Sequence, residues 1–208
     1  MTRNYDAFTL AEVLITLVII GVIAAMTIPT LINKTNKQEY VSRLKKAYST
    51  LSQATNRIIA DNGMPRGDIG GWATNRDAVF NLYKKYLSNA KECLSGTECS
   101  IINSGFWNTD SDGYKLILAD GTLINISLTD PACNMDHGYG TTQVCQYIDV
   151  DINGHKKPNK VSEDSFSFAV KENGGLYPLG CEEDKCNNSV AWKWGCTCKV
   201  IREGAINY

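Results

Sequence analysis

Two histidines in 208 residues leave little room for imidazole chemistry. Both His137 and His155 sit in glycine-rich loop sequence, outside any Ser–His–Asp or metal-ligand spacing. No phosphate-cradling glycine loop and no dinucleotide fingerprint occurs, so no enzyme is expected. Neither sign of charge is in excess. Lys and Arg number 21 against 22 Asp and Glu, a net charge of −1, which argues against a basic field for nucleic acid. No internal repeat and no low-complexity tract is present. Cysteine is absent before Cys93, and all eight lie between Cys93 and Cys198.

What the N-terminus does have is a long apolar run, "AFTLAEVLITLVIIGVIAAMTIPTL" at residues 7–31. Residues 13–28 carry no charge, and Phe8 to Ile32 makes 25 residues, against the roughly 20 that a bilayer core requires. A secretory signal would have a shorter apolar region and a small-residue cleavage site after it. Here "MTIPTLINKTNK" follows instead. A plain anchor explains the length but not Glu12, because a carboxylate inside lipid is costly and usually marks function.

The combination of Phe8, Thr9, Leu10 and Glu12 with an unbroken apolar run resembles the N-terminus of prepilins, the precursors of type IV pilins and type II secretion pseudopilins. The resemblance covers about the first 60 residues. It implies cleavage by prepilin peptidase between Ala7 and Phe8 and methylation of the new N-terminus. The family usually has glycine before the cut; Ala7 is also small. Gly21 and Pro29 fall where the family places helix-loosening residues, and with Glu12 they form the expected assembly set. Cleavage creates an ammonium at the positive end of a helix dipole, with Glu12 at i+4 on the same face. Glu12 can compensate that charge in its own chain or on a neighbour. The resemblance implies the second use, with Glu12 setting register in a filament.

After Pro29, Tyr40, Val41, Leu44, Ala47, Tyr48, Leu51, Ala54, Ile58 and Ile59 form one helical stripe, closed by Asn62–Gly63. A nearly continuous helix from about Phe8 to Asp61 is expected, kinked or locally melted at Pro29. Thr74 and Asp77 have capping-box spacing ahead of a second helix that carries Val79, Phe80, Tyr83, Tyr86 and Leu87 and ends near Cys93. Asp120–Gly121 joins two β-rich runs, a hairpin signal. "QYIDVDI" and "SFSFAV" alternate as strands, and "AWKWGCTCKVI" could add a last one. The expected fold class is α+β: a long N-terminal helix, transmembrane in its first half, laid on an antiparallel sheet, with a disulfide-rich C-terminal part. This pilin-like fold is also what the resemblance implies. The expected segments are a leader at 1–7, a transmembrane and assembly half-helix at 8–32, an amphipathic half-helix at 33–63 and a globular domain at 64–208. The tryptophans Trp72, Trp107, Trp192 and Trp194 read as packing aromatics.

An even number of cysteines confined to an exported part reads as disulfides. Spacing pairs Cys93 with Cys99 and Cys133 with Cys145. Cys196 and Cys198 are too far apart to bridge in an extended strand, so Cys181 and Cys186 each bridge to one of them, in either order. A four-cysteine zinc site is the alternative, but C-x₂-C knuckles are absent. No cofactor is required. The one metal candidate is calcium, at Asp149, Asp151 and Asn153, which open a D-x-D-x-N-G loop. The loop's twelfth position is Lys160 instead of glutamate, leaving Glu163 or Asp164 as the closing carboxylate. The plain alternative is a strand of solvated carboxylates ending in a turn. "NIS" at Asn125 and "NNS" at Asn187 are short glycosylation matches.

The resemblance implies a structural subunit of a type IV pilus or secretion pseudopilus in a bacterium. Such a subunit spans the inner membrane once, with a periplasmic C-terminal domain, and then enters the filament. Its partners are other pilins in a homo- or hetero-oligomeric filament, prepilin peptidase and the inner-membrane assembly platform. The alternatives are a low-copy minor or tip pilin that binds DNA, a surface or a secretion substrate, and a single-span anchored domain that never polymerises.

Overall fold

A stripe of apolar residues three and four apart buries one side of the longest helix. Helix α1 runs Leu10–Asn62 in the computed structural model, which describes residues 9–87, 89–93, 114–136, 142–154, 156–181, 186 and 196–207. Two compact units result, residues 1–38 and 39–208, and they are taken separately.

In the first unit α1 shows its apolar side chains on all sides. Leu10, Val18, Ile20, Met26 and Leu31 are each more than 60% exposed. The helix is long and apolar enough to cross a membrane. It remains helical through Pro29, so the expected local melting does not occur. Proline removes a single donor from the ladder, and the helix continues past that loss. The Thr27 hydroxyl donates to the Ile23 carbonyl at 2.9 Å.

In the second unit Val41, Leu44, Ala47, Leu51, Ala54 and Ile58 are buried, with Tyr40, Tyr48 and Ile59 packed at the margin, as the stripe predicts. Gly63, at φ +82°, ends the helix in the left-handed region, and its N–H donates to the Ile59 carbonyl at 2.9 Å. Helix α2, Arg76–Tyr86, is capped by Asn75, whose Oδ1 accepts from the Ala78 N–H at 2.9 Å. The cap is therefore neither Thr74 nor the expected Thr74–Asp77 box. Asparagine caps as well as threonine, and using it starts the helix one residue later. Inside, the Tyr83 hydroxyl meets the Thr55 hydroxyl at 2.6 Å, both fully buried. The helix stops at Tyr86 and does not reach Cys93.

Among the described residues, six antiparallel strands follow in sequence order across one sheet. They are β1 Lys91–Glu92, β2 Lys115–Ile117, β3 Leu123–Thr129, β4 Val144–Asp151, β5 Ser165–Lys171 and β6 Leu176–Pro178. The β2–β3 hairpin turns at Asp120–Gly121, where Gly121 has φ +85° and Asp120 Oδ1 accepts from the Thr122 N–H. The register sets Ile126 beside Ile148 and Ile148 beside Phe168. These side chains join the α1 stripe in one core, where the Phe168 ring stacks on Tyr48 at 5.7 Å. Trp72 is in the same core; the other tryptophans lie outside the described residues.

The C-terminal segment departs from expectation. Residues Thr197–Glu203 form helix α3, not a strand. Thr197 and Val200, three apart, are buried, and Gly204 at φ +67° caps the end. The edge position next to β5 is taken by β6 and, beyond it, by Thr197, whose hydroxyl accepts the Ser167 N–H at 3.0 Å.

Disulfides join Cys133–Cys145, Cys181–Cys198 and Cys186–Cys196, which settles the order left open by spacing. Cys93 is also disulfide-bonded; Cys99, its expected partner, lies outside the described residues. These bridges, not zinc, are the cysteine chemistry of the described part. The 12-residue separation of Cys133 and Cys145 corresponds to about 3 kcal/mol in the chain-entropy picture.

Candidate functional site

Two places hold the residues singled out by the sequence: the start of α1, and the connection between β4 and β5.

Ala7 and Phe8 lie outside the described residues. Thr9 and Glu12 form a reciprocal cap. The Thr9 N–H and Thr9 hydroxyl both donate to Glu12 Oε2 at 2.8 Å, and the Glu12 N–H donates to Thr9 Oγ1 at 3.2 Å. This is a capping box, with Thr9 as the cap and Glu12 three residues on. The T-x-x-E spacing of Thr9 and Glu12 is the local sequence signal for it. The consequence is that the Glu12 carboxylate is held at the helix start with its charge exposed. Gly21 is an open helix position where an added Cβ would meet nothing within 4 Å. Small residues of this kind let helices approach closely.

The β4–β5 connection is more enclosed than solvated carboxylates would be. Asp149 is 7% exposed, Asp151 1% and Asp164 0%, which overturns that reading. Alternation along β4 put the aspartates on the face opposite Ile148 and Val150, but both faces are buried. Asp149 stands apart from the loop. Its carboxylate takes hydrogen bonds from Ser167, Ser127 and Asn125 within the sheet, and burial pushes its pKa above the usual carboxylate value.

Asp164 organises the loop. It accepts the Asn159 and Lys160 N–H groups, each at 2.6 Å, and the Asn153 side-chain amide at 3.1 Å. Burial, the largest cause, raises its pKa despite those bonds. Asp151 Oδ1 accepts the Asn153 N–H at 3.2 Å. Burial and, after it, the charge of Asp164 push the Asp151 carboxyl up to about 7. Gly154 turns at φ +64°, where a Cβ would lie 2.8 Å from the Gly121 carbonyl oxygen. Lys160 contributes its N–H, and its ammonium pairs with Glu163 at 3.4 Å. The structure therefore brings Asp151, Asn153 and Asp164 together and leaves Asp149 out. Among the described residues no three His, Cys, Asp or Glu side chains group around a common metal position. Asn125, only 8% exposed within β3, is not placed for a glycan; Asn187 lies outside the described residues.

An apolar helix opened by a Thr–Glu cap, on a chain that continues into a disulfide-bonded α+β domain, suits a membrane-anchored protein. Residues 2–28 match the family model of the prokaryotic N-terminal methylation motif, the prepilin-type signal of type IV pilins and pseudopilins. This motif points to a structural protein, not an enzyme. It implies processing by prepilin peptidase and assembly into pilus filaments. No curated protein and no solved structure matches the chain.

Proposed function

We propose that the chain is a structural subunit of a type IV pilus or of a type II secretion pseudopilus. It enters the inner membrane through the apolar part of α1, with its disulfide-bonded domain on the periplasmic side. Prepilin peptidase then removes residues 1–7, and the methylated chain joins a filament of homo- or hetero-oligomeric pilins at the assembly platform. The methylation motif at residues 2–28 carries this reading. The exposed apolar side chains of α1 support it, because a surface of that kind is covered by lipid before assembly and by other helices after it. Subunits related by rotation and rise make head-to-tail contacts that do not close, so the assembly grows as a filament. Glu12, Gly21 and Pro29 are the assembly residues.

Shearing filaments from cells and comparing the mature chain there with the membrane pool tests this role. A structural subunit is the dominant filament protein. A chain found at a few copies per filament would be a minor or tip pilin. A chain found only in the membrane would be an anchored domain that never polymerises, and the proposal would fail.

A further inference from the structure

The second unit carries exposed lysines at the end where the chain enters it. Lys156, Lys157 and Lys160 are exposed on the β4–β5 connection. That connection is docked on the first turns of α1 in this unit. The Lys157 carbonyl accepts from the Tyr40 hydroxyl and the Ile152 carbonyl from Arg43 Nη1, both at 3.4 Å. Asn153 Nδ2 donates to the Tyr40 hydroxyl and to the Lys157 carbonyl, again at 3.4 Å. The acids around the lysines are already engaged. Glu163 pairs with Lys160 at 3.4 Å and Glu39 with Arg43 at 2.8 Å. Asp151 and Asp164, beneath the loop, are at most 1% exposed and accept from Asn153 and from the N–H groups of Asn159 and Lys160. Among the described residues neither Lys156 nor Lys157 forms an ion pair.

The sequence ties this loop to the apolar run. Tyr40 follows Ile32, where the run ends, by eight residues, and those between carry Lys34 and Lys37 with Glu39 as the one acid. Residues 33–46 and 156–163 together hold eight of the chain's 21 Lys and Arg but two of its 22 Asp and Glu, so positive charge is concentrated here while the rest of the chain is acidic. Eight helical residues rise about 12 Å. Headgroups fill roughly the first 5–8 Å beyond the hydrocarbon core. The remaining gap is within the screening length of about 8 Å, and a long lysine stem covers part of it.

We propose that the Lys156–Lys160 loop docks on anionic phospholipid headgroups of the bilayer that α1 enters. The charges are complementary, and the short tether makes the contact intramolecular, so a weak attraction suffices. An acidic protein or a nucleic acid would have to arrive by diffusion, whereas the bilayer is already in place. A contact made by a few lysines is also weak enough to release when the subunit leaves the membrane. The inference rests on α1 entering a membrane and holds whether or not the subunit later polymerises.

The test reconstitutes the full mature chain into vesicles of phosphatidylcholine alone and of phosphatidylcholine mixed with phosphatidylglycerol. Resistance to alkaline carbonate extraction reports insertion separately from the headgroup contact. Thermal unfolding followed by circular dichroism reports the contact, because a ligand that binds the folded domain raises its melting temperature. The anionic vesicles should raise it by about 2–4 °C, and high salt should remove the difference. The double variant Lys156→Gln, Lys157→Gln should melt at one temperature in both lipids. Lys84→Gln with Lys85→Gln, which removes two charges from α2, should keep the parent's difference. Neutral vesicles formed in phosphate buffer should melt as they do in sodium chloride of equal ionic strength. An inserted chain that melts equally in both lipids would overturn the proposal. So would a difference that survives Lys156→Gln, Lys157→Gln, and so would an equal rise with inorganic phosphate, which would mark a site for a free anion.

Discussion

Replacing Glu12 with glutamine is expected to leave the protein folded and inserted while removing it from filaments. Glutamine serves at the third helical position of a capping box as glutamate does, so the bonds with Thr9 can re-form in either direction. The substitution therefore changes charge and little else. Insertion should become easier, because a carboxylate leaves the apolar run. In the assembled state the N-terminal ammonium of a neighbouring chain would lose its partner among packed helices. An unpaired charge in such a place is strongly unfavourable, so incorporation should fall by about tenfold or more. Thr16→Val is the control on the same helix; its hydroxyl only donates to the Val13 carbonyl. The ratio of filament-incorporated to membrane-bound protein decides the matter. Equal ratios for the two variants would make Glu12 an interfacial carboxylate with no role beyond capping.

The second large effect is expected at Phe168. Its ring is fully buried, lies beside Ile148 in the register and stacks on Tyr48 with the planes 8° apart. Phe168→Ala should cost about 3–5 kcal/mol, from lost transfer energy plus the cavity left behind. For a unit of this size that is roughly a 10 °C fall in melting temperature. Gln53→Ala, on the exposed side of α1, should shift stability by less than about 0.5 kcal/mol. Thermal unfolding of the two detergent-extracted variants, followed by circular dichroism, makes the comparison. A fall of under about 2 °C for Phe168→Ala would mean that the helix and sheet do not share this core.

Much of this architecture was legible in the residues, for identifiable reasons. The α1 stripe from Val41 to Ile58 repeats for five turns, long enough for the helical period to be unmistakable. Asp120–Gly121 announces its hairpin locally, because glycine there takes a positive φ. The Cys133–Cys145 bridge followed from spacing alone. What stayed hidden depends on distant parts of the chain. Strands β1 and β6, at two and three residues, are too short to show any period. Helix α3 reads as a strand because Cys196 and Cys198 alternate, yet it is held by bridges to Cys186 and Cys181 and by a cap at Gly204. Excluding a bridge between Cys196 and Cys198 leaves two orders open, of which the structure has Cys181–Cys198 with Cys186–Cys196, although strand geometry does not apply to this helix.

The candidate sites divide in the same way. Alternation along β4 correctly separates Asp149 and Asp151 from Ile148 and Val150, but it cannot say that the aspartate face is covered too. Nor does spacing distinguish Asp149, which is satisfied by Ser127, Ser167 and Asn125, from Asp151, which faces Asp164 across thirteen positions of sequence. Only the folded turn makes that distinction. At the N-terminus the reverse holds. The motif from Phe8 to the end of the apolar run is a local signal, read by an enzyme as sequence, and it needed no tertiary contact to be recognised.

The central claim is that this chain is a prepilin whose mature form begins at Phe8. Intact-mass measurement of the protein extracted from the membranes of its own host tests it most directly. The account predicts a mass lacking residues 1–7, increased by one N-terminal methyl group, and a return to the full-length mass when prepilin peptidase is deleted. A mature N-terminus beyond residue 25, or a full-length chain in cells with active peptidase, would contradict it.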